Sequence, residues 1–352
     1  MHLALGGWGH TAPNPMVGAV VVAGDQIVGE GAHRRYGEAH GEVVALRAAG
    51  ERARGATLYV NLEPCAHFGK TPPCVDAVID AGIARVVISV RDPSDVARGG
   101  VERLRAAGIH VDIGAARDAA LELNAPFFNA HASDRPWVTL KLALSADGGT
   151  ADPTGKERWI TGAASRAEVH RLRANADAIA VGVGTVIADD PSLTVRDASA
   201  PRIAPRRVIF DSTLRTPVDA QVVRTSRDVD TIVVSGVDAP VARRAALVAA
   251  GVQVVSMPAL PGALRWLRSA GVRALFVESG ARLAGSLLRE ALVDRLIIFR
   301  SKVVLGSDAP HAFAYAPAGF EPALVGRTID ERAFGDDVMT TYALTNVPCS
   351  PD

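Results

Sequence analysis

The chain has 352 residues, 48% hydrophobic and 22% charged, the composition of a soluble globular protein too long for one core, so two domains are expected. Its 38 Lys and Arg balance 38 Asp and Glu, which argues against a nucleic-acid-binding stripe and favours a small-molecule partner. With no apolar run of about eighteen residues and no basic, apolar leader, no membrane partner is expected, and the cytoplasm is.

In chain order, apolar strand candidates at 17–22, 58–62 and 86–90 alternate with helical patterns at 42–52, 74–82 and 100–107. That rhythm predicts an α/β sheet covered by helices. A helix-like stretch at 115–124 and a polar turn at 131–136 mark a boundary, dividing the chain into 1–114, a connecting helix and linker at 115–134, and 135–352. A second α/β series then runs through strands at 137–143, 178–183, 208–211, 231–235, 274–278 and 295–299. Helices at 164–174, 240–250, 262–270 and 282–291 fall between them. The arginines within 202–207 read as a solvated loop or an anion site.

The sharpest chemistry lies at His40-Gly41-Glu42, followed by Pro64-Cys65 and Pro73-Cys74. One imidazole and two thiolates leave the fourth tetrahedral position of zinc open to water, which the metal makes acidic enough to react near neutral pH. Glu42 is then a spare carboxylate that takes the water's proton and delivers it to a departing amine, the arrangement of a hydrolytic zinc deaminase. The helical periodicity of 42–51 puts His40 and Glu42 at a helix start, and Cys74 opens another helix, where the macrodipole favours a thiolate. A structural zinc site is the bland alternative; it needs a fourth ligand, for which His67 is the candidate. Three cysteines, with Cys349 in a polar tail, make no disulfide framework.

The second half is less specific. Gly182-Val183-Gly184-Thr185 after an apolar strand would let backbone approach a pyrophosphate, yet an ordinary strand-end turn looks the same. Asp189-Asp190-Pro191 reads equally as a turn, and Lys141 as an outward edge residue.

Together, the segment 11–18 (TAPNPMVG), the HGE box and the run LEPCAHFGKTPPC from 62 to 74 resemble the deaminase half of the bifunctional riboflavin-biosynthesis deaminase/reductase family. The segments at 135–148, 159–162, 169–196, 206–217 and 276–288 resemble its reductase half, so the likeness covers nearly the whole chain. The resemblance implies a cytidine-deaminase-like three-layer α/β domain followed by a dihydrofolate-reductase-like domain, with Zn2+ and NADPH as cofactors. It implies zinc on His40, Cys65 and Cys74, Glu42 as proton shuttle, and Asn14, His67 and Lys70 near a phosphorylated pyrimidine substrate. In the second half it implies substrate contacts from Lys141, Thr161, Asp189, Arg196 and Glu278. Gly182, Gly184, Thr185, Ser279 and Gly280 would approach NADPH, and a homo-oligomer is the expected assembly.

The chain departs from the family pattern at several points. MHLALGG reads as a shortened start, Gly41 replaces an Ala, Asn61 a Thr, and Phe68 a polar residue. In the second half Ala146 replaces a Leu, Gly149 a basic residue and Glu157 a Ser, and Glu157 is expected to weaken phosphate binding by like-charge repulsion. Two rivals therefore stay open: a deaminase with a non-functional reductase domain, and a non-catalytic protein stabilised by zinc.

Overall fold

A computed structural model describes residues 1–155 and 159–348, so Glu157 and Cys349 lie outside the described residues. It divides into two units, Met1–Ser133 with a short return from Val347, and Asp134–Asn346. The stretch expected as a connector falls almost wholly in the first unit.

The first unit carries five strands: β1 (Gly18–Ala23), β2 (Gln26–Ala32), β3 (Thr57–Val60), β4 (Arg85–Ile88) and β5 (His110–Ile113), ordered β2-β1-β3-β4-β5. The β1 pairings are antiparallel, and β3, β4 and β5 run parallel. Helices α1 (Gly41–Ala49), α2 (Cys74–Asp80), α3 (Gly100–Ala106), α4 (Arg117–Leu123) and α5 (Ala125–Ala132) accompany them. Sequence reasoning missed β2 because two glycines, 29 and 31, depress its strand character. They are there because α1 lies on them. A Cβ on Gly31 would stand 2.3 Å from the Gly41 carbonyl oxygen, and one on Gly29 2.2 Å from that of Ala45. The close approach fixes α1, whose start carries His40 and Glu42.

Two of the departures have local reasons. Asn61 accepts the Gly18 amide on Oδ1 (2.8 Å) and donates to the Met16 carbonyl (2.9 Å), clamping the chain ahead of β1. At Gly41 a Cβ would meet the Val17 carbonyl oxygen at 2.8 Å, so glycine lets α1 begin against that segment.

The second unit is a nine-stranded sheet of β6 (Trp137–Leu144), β7 (Ala178–Gly182), β8 (Arg206–Phe210), β9 (Thr231–Ser235), β10 (Gln253–Ser256), β11 (Ala274–Glu278), β12 (Arg295–Arg300), β13 (Arg327–Phe334) and β14 (Asp337–Ala343). Its order is β10-β9-β8-β7-β11-β6-β12-β14-β13. All neighbours as far as β12 are parallel and the last two pairings antiparallel. Helices α6 (Ala163–Arg173), α7 (Val183–Asp189), α8 (Gln221–Arg224), α9 (Val241–Ala249), α10 (Leu260–Ser269), α11 (Ala281–Arg289) and α12 (Pro322–Val325) cover it. Parallel strands buried on both faces read as continuous apolar runs, which is why β7, β9 and β11 were legible. The β13–β14 hairpin was not, since its edge strand is polar and has no buried residue, with three charged residues in a row at 330–332.

Two expectations are corrected here. Lys141 is no edge residue, because β6 lies between β11 and β12. The arginines at 206 and 207 belong to β8, and Arg207 is buried, donating to Thr225 and Val229 carbonyls at 2.7 Å, so it is structural.

Candidate active sites

In the first unit, His40 is the residue immediately before α1, in extended backbone, and its ring makes no capping bond, which leaves it free to turn inward. Cys74 is the first residue of α2, and Cys65 lies beyond the end of β3. One ligand atom from each of His40, Cys65 and Cys74 lies within 4.8 Å of the others. His40 Nδ1 is 3.1 Å from Cys74 Sγ and 3.6 Å from Cys65 Sγ. Zinc bound at about 2.0 Å to nitrogen and 2.3 Å to sulfur separates tetrahedral ligands by roughly 3.5–3.8 Å, so the donor set fits that ion. Among the described residues no fourth His, Cys or acid joins the cluster, and His67 is not in it. A closed structural site is thereby disfavoured.

Glu42 is 3% exposed, its carboxyl is within hydrogen-bonding range of Cys74, and among the described residues Oε2 has no partner. Burial pushes its pKa up to about 6, with His40 pulling the other way, so the group can both take and give a proton near neutrality. The two cysteines titrate as a pair. Hydrogen bonding to Cys74 lowers Cys65 to about 4, whereas contact with Cys65 and then burial raise Cys74. Two thiols sharing one proton ionise unequally, and a divalent cation removes the conflict.

Asn14 is positioned by a residue that sequence reasoning missed. His33 is buried, with Nδ1 3.2 Å from the Ala39 carbonyl and Nε2 3.4 Å from Asn14 Nδ2. A carbonyl can only accept, so Nδ1 carries the proton. Burial lowers the His33 pKa, so Nε2 accepts from Asn14 and the Asn14 Oδ1 is left as an acceptor. The rings of His33 and His40 meet edge-on at 5.1 Å, which ties this pair to the metal cluster. His67 Nδ1 is buried without a partner among the described residues, and Lys70 is exposed in the same loop.

In the second unit, Lys141 on β6 stands directly across from Glu278, the last residue of β11. Arg173, at the end of α6, pairs with the Glu278 carboxylate through Nε and Nη2, and Nη1 donates to the Thr194 carbonyl at 2.9 Å. Burial acts most strongly on Glu278 and upward, yet Arg173 and Lys141 together hold it below the usual carboxylate range. Lys141 is lowered, chiefly by burial. His170 Nδ1 accepts the Arg196 amide at 3.0 Å, so α6 carries both the Glu278 pair and the segment holding Arg196. Arg173 escaped sequence reasoning because a basic residue in the last turn of a helix ordinarily complements the macrodipole.

Gly182 precedes α7, with Gly184 and Thr185 in its first turn, and Ser279-Gly280 precede α11. Because β7 and β11 are parallel neighbours, both turns open at the carboxyl edge of the sheet, the usual ligand crevice of such folds. A Cβ at Gly184 or Gly280 would meet nothing within 4 Å, and Ser279 Oγ is buried without a partner among the described residues. Open backbone and an unused hydroxyl fit a dinucleotide phosphate. Thr161 is nearly buried, its carbonyl taking a 2.6 Å bond from Arg166, and Asp189 is exposed at the far end of α7. Gly149 is packed: its amide donates to Ser145 Oγ at 2.8 Å, and a Cβ would meet Ala309 Cβ at 2.9 Å.

Two family models match the chain, the cytidine and deoxycytidylate deaminase zinc-binding region over 1–90 and the RibD C-terminal domain over 136–324. The riboflavin biosynthesis protein RibD of Aquifex aeolicus is 46% identical to it over 301 residues, covering 85% of this chain and 83% of that one. The Escherichia coli RibD is 42% identical over 85% and 84%. Among solved structures, Acinetobacter baumannii RibD matches with a TM-score of 0.79 at 39% identity, covering 97% of this chain and 96% of that one. A diaminohydroxyphosphoribosylaminopyrimidine deaminase/5-amino-6-(5-phosphoribosylamino)uracil reductase of Thermotoga maritima matches with 0.81 at 32%, covering 97% and 95%. The expected order of a deaminase-like and a reductase unit is borne out, and neither rival reading is favoured. The chain belongs to the RibD family of riboflavin-biosynthesis enzymes, bifunctional deaminase/reductases with zinc in the first unit and NADPH in the second.

Proposed function

We propose that the first unit deaminates 2,5-diamino-6-(5-phosphoribosylamino)pyrimidin-4-one and that the second reduces the ribosyl group of the product to ribityl. The observation that carries the reading is the three-ligand cluster beside a buried carboxyl with an unpartnered oxygen. Bound zinc supplies a Lewis acid that makes a water at its open position acidic near neutral pH. His40, Cys65 and Cys74 hold that ion against α1 and α2. Glu42 takes a proton on its carboxyl and returns it to the ring nitrogen substituent, which departs as ammonia. Asn14, through the Oδ1 left free by His33, accepts a donor of the pyrimidine, and His67 faces the same ring. Lys70 binds the ribose phosphate.

NADPH supplies hydride to the opened ribosyl C1′. Gly182, Gly184, Thr185, Ser279 and Gly280 line its phosphates. Lys141 offers a proton from Nζ to the substrate atom that gains electrons, and Glu278, braced by Arg173, accepts a ribityl hydroxyl. Thr161, Asp189 and Arg196 complete the substrate pocket, with the Arg196 guanidinium on phosphate. The enzyme acts as a cytoplasmic homo-oligomer with no nucleic-acid or membrane partner; no helix among the described residues is long and apolar enough to cross a membrane.

A coupled assay on zinc-quantified protein tests the reading. Ammonia is expected first and NADPH oxidation second; a zinc-loaded sample that releases no ammonia ends the deaminase assignment.

A further inference from the structure

Lys70 stands in the exposed loop between the two cysteines, and among the described residues its ammonium has neither a hydrogen bond nor an ion pair. Its Nζ instead lies 4.4 Å from the centroid of the Tyr36 ring. The Tyr36 amide donates to the His10 carbonyl at 3.1 Å, and the chain then reverses through Gly37 at φ +88°, a conformation that favours glycine. A Cβ at Gly37 would come within 3.6 Å of Lys70 Cδ, so the lysine stem crosses this turn before its ammonium reaches the ring.

We propose that Tyr36 is a positioning residue for Lys70, its ring face holding the ammonium where the substrate's 5′-phosphate arrives. This rests on the reading of Lys70 as the phosphate ligand. The physical reason is what the contact leaves available. A carboxylate partner would neutralise the charge and occupy N–H donors that phosphate would then have to displace. A ring face attracts the cation through its quadrupole instead, restrains a side chain of high rotamer entropy, and leaves N–H donors uncommitted to any oxygen acceptor for the anion to take. The selectivity that results concerns the phosphate, since the ring face is turned to the lysine ammonium.

The experiment measures ammonia release by the zinc-loaded full chain with the phosphorylated substrate and with its dephosphorylated ribosylamino counterpart. Tyr36→Leu is expected to raise KM for the phosphorylated substrate about two- to fivefold and to leave the KM of the dephosphorylated one in place. Tyr36→Phe, which keeps the ring face, restores the parental value, and Lys70→Gln raises the phosphorylated-substrate KM further. Tyr36→Met is a second ringless variant read in the same way should the leucine protein fold poorly. If ringless variants match the parent while Lys70→Gln does not, the positioning role is overturned and the phosphate reading stands. If Lys70→Gln leaves KM unchanged, the phosphate reading itself fails. An equal rise for both substrates, or lost zinc, makes Tyr36 a structural residue and also overturns the proposal.

Discussion

In the deaminase unit the proposed metal ligands and proton carrier lie between residues 40 and 74, on two helix starts and one loop. In the reductase unit the groups proposed to bind substrate and cofactor come from β6, the end of β11, the last turn of α6 and two glycine turns, spread from 141 to 280. A metal centre demands particular atoms, sulfur and imidazole nitrogen, at bonding distance from one point. A dinucleotide and sugar-phosphate site is built largely from backbone and common charged side chains, which have structural uses everywhere. Chemistry that needs rare donors is therefore concentrated and legible, and chemistry that needs open backbone is dispersed.

The largest effect expected on that contrast comes from Glu42→Gln. The carboxamide preserves shape and cannot relay a proton, so ammonia release should fall about 10²–10⁴-fold, with zinc content retained. Reduction of the authentic deaminated intermediate should continue at the parental rate, measured by NADPH absorbance. Loss of zinc would instead move Glu42 into the metal's ligand shell.

On the other side, Arg173→Met should leave ammonia release intact and cut NADPH oxidation. It strips a buried carboxylate of a charged hydrogen-bond partner, a loss of about 1.5–3 kcal/mol, or roughly 10- to 150-fold in rate if Glu278 must be held to receive substrate. An unchanged reductase rate would mean that Glu278 needs no brace.

The same reasoning explains what the sequence could and could not tell. Cys65, Cys74 and His40 were legible because cysteine and histidine are scarce in this chain, and Glu42 because it stands two residues from His40 at the same helix start. The long apolar runs of the parallel sheet were legible because both their faces are covered. His33 and Arg173 were not, since a histidine near a helix and an arginine in a last turn have ordinary explanations, and only three-dimensional pairing shows what they orient. Strand β2 was hidden by the glycines that its packing requires, and α5 fell within the stretch expected as a connector, only its last two residues reaching the turn expected at 131–136.

A smaller, purely mechanical effect tests that packing. Gly31→Ala would press a methyl on the backbone of α1, at 2.3 Å from the Gly41 oxygen and 2.4 Å from the Ala45 nitrogen. Neither atom can swing aside as a side chain would, so α1 must shift. A loss of about 1–3 kcal/mol in stability is expected, together with weaker zinc retention and slower ammonia release, because α1 carries His40 and Glu42. Denaturant unfolding with metal analysis measures both. Unaltered zinc affinity would show that the cluster does not depend on where that helix rests.

Gly184→Ala gives the smallest change and separates the two uses of glycine most cleanly. Here a Cβ meets nothing within 4 Å, φ is not positive, and the position lies inside the first turn of α7. On intramolecular grounds alanine is tolerated and even favoured, by up to about 1 kcal/mol of helix propensity. Any loss must then come from a ligand that needs the bare backbone. NADPH affinity, measured by fluorescence titration, is expected to weaken about fivefold while the unfolding midpoint holds or rises, the opposite pattern to Gly31→Ala, in which stability falls first. Equal NADPH affinity in the alanine protein would remove Gly184 from the cofactor's path and leave the turn as an ordinary strand end, the reading its sequence alone permitted.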